Sequence, residues 1–337
     1  MASDLRLRAA LERGALVTAA NWPLLVIEFA TESLFKFALA VPIVGGAFMV
    51  AVLVGADIRL LVDAGVQTAA NRVIASLATA PIALGSFLVA LLLVAAGGAS
   101  VMFAVKSGTL AVLTAAERRA PDVQRAVRLD WFRQARAFEF DAVLVGIRHF
   151  GRRGVALGAC LVVAYAALAA LYLVMLTIAL RPVSGQPNGW ALWPLLVAGA
   201  TSVTLVAVAL VNVAYDLVRV IVVVDDCSVR VAAARVRRFV VHDARQVIGI
   251  VCVMGAVVIV ATAVSLVLTA GLAFVAYVPI VGLVFLPLQA AAWLVRGVVF
   301  QHVSLMTLAA YQTQYRRFAE PSRSEVRPAM PLWGQRA

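Results

Sequence analysis

Glu28, Glu32 and Lys36 are spaced i, i+4, i+8, so they share one face if the segment is helical. A helix from Asn21 to Val54 would be about 51 Å long, against a hydrocarbon core of about 30 Å. Its first half therefore lies at or outside the membrane boundary. Two chemistries fit the stripe. It is a surface ion-pair ladder worth a few tenths of a kcal/mol, or Glu28 or Glu32 faces the protein interior and neutralises a cation such as Arg219 or Arg296. Arg296 interrupts an apolar run, AAAWLVRGVVFQ, and must snorkel to the headgroups or find an acid.

A second set comes from three stretches that align without gaps: AVKSGTLAVLTAAE from Ala104, AYDLVRVIVVVDDC from Ala214 and VFQHVSLMTLAAYQ from Val299. Each has a polar residue at its third position, namely Lys106, Asp216 and Gln301. Each has another three residues on: Thr109, Arg219 and Ser304. If three units are related by a pseudo-threefold axis, these residues lie at equal depth. Lys106 then approaches Asp216 with Gln301 beside them, and Thr109, Arg219 and Ser304 form a second polar layer.

No catalytic constellation appears. GxSxG, HExxH and P-loop patterns are missing, and no catalytic, cofactor-binding or metal-binding residue is assigned. His149 and His242 sit in basic stretches and are expected to be solvated, while His302 is a candidate to line a cavity. Cys160, Cys227 and Cys252 show no ligand or disulfide spacing and are expected to be small buried hydrophobes.

The elements that position these residues follow from composition. Of 337 residues 64% are hydrophobic and 14% are charged, whereas soluble domains are roughly 45–50% apolar. Charge-free runs cover 37–54, 74–105, 154–180, 191–215 and 247–295. The last would reach about 74 Å as one helix, so it must be two spans. The turn is expected near Tyr277, Val278 and Pro279. The expected fold is all-α, a polytopic integral membrane protein with six transmembrane helices. The opening polar segment has no cleavage signal, so insertion is expected through the first span. Of the 29 Lys and Arg residues, 23 fall in the segment before Asn21, in 115–154, in 216–246 and after Tyr311. The positive-inside rule places both termini in the cytoplasm of a multi-pass protein. The net charge of +12 is then a topology signal and does not call for nucleic acid.

Asp141–Phe150 (DAVLVGIRHF) and Val231–Phe239 (VAAARVRRF) read as short amphipathic helices before a span, and LRLRAALERG near the N-terminus resembles them. Such helices lie in the headgroup layer and contact anionic lipid. The repeats fall at 5–120, 141–228 and 231–312, within a single membrane domain over 1–319. A disordered tail is expected over 320–337. Gly154 and Gly158 form GxxxG, which serves packing within the chain or against a partner.

The stretch YDLVRVIVVVDDCSVRVAAARVRRF resembles a recurrent element of a bacterial six-span family that includes YciC-like proteins and the membrane domain fused to glycerophosphodiester phosphodiesterases. In that family a span ends in a short acidic turn, and a basic amphipathic helix leads into the next span. The resemblance implies a bacterial inner-membrane location and a bare membrane domain. It does not bring the hydrolase activity, which belongs to a separate soluble barrel.

Two functions are expected to compete. One is a non-enzymatic membrane protein that binds a protein partner or another copy of itself, or organises the bilayer. The other is a transporter or channel for a small solute or lipid, and the clustering of polar residues toward the cytoplasmic end counts against it. An intramembrane enzyme is a third and weaker option.

Overall fold

A computed structural model describes residues 2–53, 81–121, 129–180, 189–276 and 279–326. Its helices are α1 (Ala2–Ala20), α2 (Trp22–Leu53), α3 (Pro81–Arg119), α4 (Leu129–Ala135), α5 (Phe140–Leu180), α6 (Gly189–Val224), α7 (Val229–His242), α8 (Ala244–Ala276) and α9 (Pro279–Val326). No strand occurs among the described residues. Five of these helices are long and apolar enough to cross a membrane, over Leu84–Arg119, Phe140–Ile178, Trp193–Val224, Ala244–Gly271 and Pro287–Ala319. The expected first span falls on α2, whose last residue is Leu53. Residues 74–80 of the expected second span lie outside the described residues, as do Tyr277 and Val278. The helices on either side of that pair end at Ala276 and begin at Pro279. The last helix runs on to Val326, into the stretch expected to be disordered, and residues 327–337 lie outside the described residues.

Burial is uneven along the bundle. The core gathers Leu16, Val17 and Leu24 with Leu110, Leu113, Leu217, Ile221, Phe239, Ile250, Leu305, Leu308 and Tyr311. These come from α1, the start of α2, the ends of α3, α6 and α9, and from α7 and the start of α8. They mark one end of the bundle. In the most apolar windows of α5 and α6, by contrast, no residue is buried within the protein. Leu205, Leu210, Val163 and Ile259 all face outward. Apolar surface of that extent is stable only against lipid or another apolar surface.

Small residues set the closest approaches. An added Cβ on Gly108 would lie 2.7 Å from the Val143 carbonyl oxygen, and one on Gly154 would lie 3.0 Å from the Phe103 carbonyl oxygen. The GxxxG pair is thus used within the chain, where α5 packs on α3. Phenylalanine rings fill the space that several glycines leave: Phe103 on Gly158, Phe35 on Gly98, Phe87 on Gly46 and Phe29 on Gly297.

Three segments differ from the amphipathic reading. Residues 141–150 are no separate helix but the first turns of α5, with Val143 and Gly146 buried against α3. The N-terminal segment is α1, which crosses α9 so closely that a Cβ on Gly14 would lie 2.9 Å from the Met306 carbonyl oxygen. Residues 231–239 do belong to a separate helix, α7, but its apolar stripe of Ala232, Val236 and Phe239 turns into the protein. There Phe239 meets Tyr315 edge-on at 5.5 Å and Phe318 at 5.4 Å. A 3.6-residue apolar period shows that one face is buried, and protein satisfies it as well as lipid does.

Candidate functional site

Where α2, α3, α6 and α9 converge beside the core, their polar residues form two linked ion-pair groups. Glu28 on α2 is only 1% exposed. Its Oε1 lies 3.5 Å from Arg219 Nη2 and accepts a 2.5 Å hydrogen bond from the Thr109 hydroxyl. Arg219 also donates to the backbone carbonyl of Lys106. One buried carboxylate therefore ties α2 to α3 and α6. One turn farther along α2, Glu32 lies 2.8 Å from Lys36 Nζ and 3.8 Å from Lys106 Nζ, and Gln301 Nε2 donates to it. That group ties α2 to α3 and α9.

Of the two sequence readings, a surface ion-pair ladder or an interior acid at Glu28 or Glu32 facing Arg219 or Arg296, the structure places Glu28 in the interior beside Arg219 and Glu32 with Lys36, and puts Thr109 beside Glu28. Other expectations differ. Lys106 forms no ion pair with Asp216 but turns to Glu32. Asp216 stands in the electrostatic field of Arg219, Lys106 and Glu28. Ser304 is exposed and takes no place in the layer. The physical reason is supply of counter-charge: α2 brings two acids to the depth at which repeat symmetry alone would have paired Lys106 with Asp216. Arg296 stacks its guanidinium over the Phe300 ring at 5.7 Å. Cys160 and Cys252 face outward instead of being buried, and Cys227 is half-buried.

A second polar group closes the packed end, and the sequence did not reveal it. Glu117 on α3 is buried and lies 3.3 Å from Arg13 Nε on α1. It also pairs with Arg316 on α9 and accepts from Thr313 at 3.4 Å. Arg13 donates to the carbonyls of Glu117 and Ala120, at 2.9 and 2.8 Å. Asn21, at the joint between α1 and α2, donates to the Val17 and Ala135 carbonyls and accepts from the Ala137 amide. Residues more than a hundred positions apart meet here, and no local spacing announces it.

The acidic turn after α6 is also built in detail. Cys227 N–H bonds to the Val222 carbonyl at 3.3 Å, and Asp226 between them has φ 47°. This is a Schellman-type helix ending, with an aspartate in the left-handed position that glycine usually fills. Asp225 accepts from Arg235 of α7 at 2.5 Å and from Tyr315 of α9. Asp226 accepts from Arg153 of α5 at 2.5 Å and lies 3.0 Å from His149. The Arg153 hydrogen bond, then that of His149, hold the Asp226 carboxyl below the usual carboxylate range. His149 is thus solvent-exposed, as expected, but engaged with Asp226. His302 is half-buried beside the layer.

Chemically, these groups are carboxylates bound to fixed cations, well suited to locking helices together. Two further polar contacts, Tyr165 to Asn212 and Tyr172 to Thr201 at 3.1 Å, join α5 to α6. The chain matches no protein-family profile, no curated protein and no solved structure.

Proposed function

We propose that the chain is a six-span, non-enzymatic protein of a bacterial inner membrane that binds partners or organises an assembly there. In this reading α2 is the sixth span, and the packed end lies with both termini in the cytoplasm. The observation that carries the proposal is the division of the bundle. The buried core and ion pairs sit at one end, while the most apolar windows of α5 and α6 bury no residue within the protein. A scaffold held rigid at one end presents long apolar helix faces to whatever lies beside it in the bilayer. The basic outer face of α7, with Arg230, Arg237 and Arg238 pointing away from the core, suits anionic headgroups at the cytoplasmic surface. The resemblance of the acidic turn and α7 to the YciC-like family points the same way. The meeting of Lys106 and Gln301 on one carboxylate supports related hairpin units.

A second reading, transport of a small solute or lipid, is favoured by the ion-pair layer itself. Glu28–Arg219 and Glu32–Lys106 would form an inner gate. Photo-crosslinking in native membranes separates the two. A benzoylphenylalanine at Leu205 or Ile259 should give a discrete protein adduct if these faces meet a partner or a second copy. Adducts with lipid alone at every such position would refute partner binding.

A further inference from the structure

A cavity of about 520 Å³ opens between α2, α8 and α9. Its wall includes Ser33, Lys36 and Arg296, together with the rings of Phe29, Trp293 and Phe300. Its volume falls within the range of about 300–1,000 Å³ that small-molecule sites occupy. We propose that this cavity binds the phosphate of an anionic phospholipid, whose acyl chains leave along the outward faces of α8 and α9. The proposal rests on reading the chain as a membrane protein that contacts anionic lipid, and it names a specific site for that contact.

Charge is the first ground. Glu32 is the one carboxylate among the residues lining the cavity, and Lys36 and Lys106 both already approach it. Arg296 adds a further cation, which stacks on the face of Phe300 and forms no ion pair with an acid among the described residues. The charged residues lining the cavity are thus two cations, Lys36 and Arg296, against one carboxylate, Glu32. At a membrane boundary such an excess is costly unless an anion joins it. A guanidinium stacked on a ring keeps its N–H edge free, and that edge matches the paired oxygens of a phosphate.

Position is the second ground. Lys36 lies four residues beyond Glu32 on α2, about 6 Å toward the apolar half. Arg296 lies five residues before Gln301 on α9, about 7.5 Å in the same direction, because the two helices run oppositely. Both residues therefore start from backbone positions on the bilayer side of the ion-pair layer, with the Lys36 ammonium turned back to Glu32 at 2.8 Å. A lipid phosphate could reach them there with its chains still among the spans.

Shape is the third. Phe29 lies against the backbone of Gly297, where an added Cβ would run into the ring edge, and its centroid is 6.4 Å from that of Trp293. These rings make an apolar wall with an indole N–H, the pairing that suits the interfacial region of a lipid.

The test uses the full-length protein, purified in detergent and titrated with phosphatidylglycerol or phosphatidylcholine. Native mass spectrometry counts the lipids retained, and inorganic phosphate serves as a third arm. The wild type should retain one phosphatidylglycerol about tenfold more tightly than phosphatidylcholine. R296Q should reduce that preference to near unity while leaving the thermal midpoint unchanged, because Arg296 points away from the core. K36Q provides an independent second variant. Equal retention of the two lipids by the wild type overturns the site, and so does a preference that survives both substitutions. Displacement of the lipid by millimolar inorganic phosphate overturns the lipid as the source and assigns the site to the free anion. Failure here leaves partner binding standing, since that is read separately from protein adducts at Leu205 and Ile259.

Discussion

Removing Glu28 alone should be among the most damaging single changes available in the described structure. The side chain is 1% exposed, and its partner Arg219 is 5% exposed. At their 3.5 Å separation the gross attraction is about 5 kcal/mol for an effective dielectric constant near 20. Desolvation of both ions offsets much of it, so the net worth of the intact pair is far smaller. The asymmetry appears when one partner goes. Glu28→Ala leaves a buried guanidinium with the Lys106 carbonyl and the field of Asp216, and should cost up to about 3–5 kcal/mol. Arg219→Met strands the carboxylate with the Thr109 hydroxyl and should cost a similar amount. The double variant removes both charges of the pair and leaves Asp216 with Lys106 as its nearby cation. It should be much less damaging than the sum, with an interaction energy toward the upper end of the ~0.5–3 kcal/mol seen for contacting residues. The assay is equilibrium unfolding in mixed micelles, followed by circular dichroism, for the four proteins of the cycle. Additivity within about 0.5 kcal/mol would refute the buried pair. A control separates burial from charge: Glu28→Lys should lower the midpoint far more than Glu12→Lys, because Glu12 pairs with Arg8 at the surface.

Three further substitutions test other parts of the molecule. Gly108→Ala should cost about 1–3 kcal/mol, since its new methyl meets the backbone of α5. Gly199→Ala, with nothing within 4 Å, should be neutral or mildly stabilising in the same unfolding assay. The Asp226 carboxyl is depressed in the folded state, so its stabilising contribution is present above the ordinary carboxylate range and fades as pH falls through the folded value. Asp226→Asn should therefore be less stable than wild type at pH 7, with the gap closing below about pH 4. A gap that stays constant across that range would contradict the Arg153 and His149 contacts. Asparagine tolerates the left-handed backbone at this position, so the substitution tests charge and not strain.

Several of these features were legible in the sequence for definite reasons. Charge-free runs longer than a bilayer leave a chain few options, and each described part of them is helical, within helices that continue past the charged ends of the runs. Glu28 was legible only in part: an ionisable group near the hydrocarbon needs a counter-charge, but the spacing of Glu28, Glu32 and Lys36 fitted a surface ladder as well, and neither which acid turns inward nor whether Arg219 or Arg296 meets it could be read from it. The Lys106–Asp216 pairing was drawn from symmetry among three hairpins. It ignored that α2, the first span of the first unit, brings its own acids, Glu28 and Glu32, to the same depth. The headgroup helices were misread because a basic amphipathic stripe looks the same whether its apolar side meets lipid or protein. Phe239 and Gly14 settle the matter only once α9 is in place. Glu117 and Asn21 gave no signal, since their partners lie about a hundred residues away and no spacing rule connects them.

The division of the bundle into a packed end and outward-facing apolar spans can be tested at two native residues. Cys160 on α5 and Cys252 on α8 both face outward, although as small apolar side chains they would ordinarily be buried. A nitroxide attached to each in turn, in the protein reconstituted into lipid, reports collision with dissolved oxygen and with a water-soluble nickel chelate. The structure predicts high oxygen accessibility and low chelate accessibility at both positions, the signature of a lipid-facing side chain. Labels that are immobile and shielded from oxygen would place these faces inside a closed core and contradict the account.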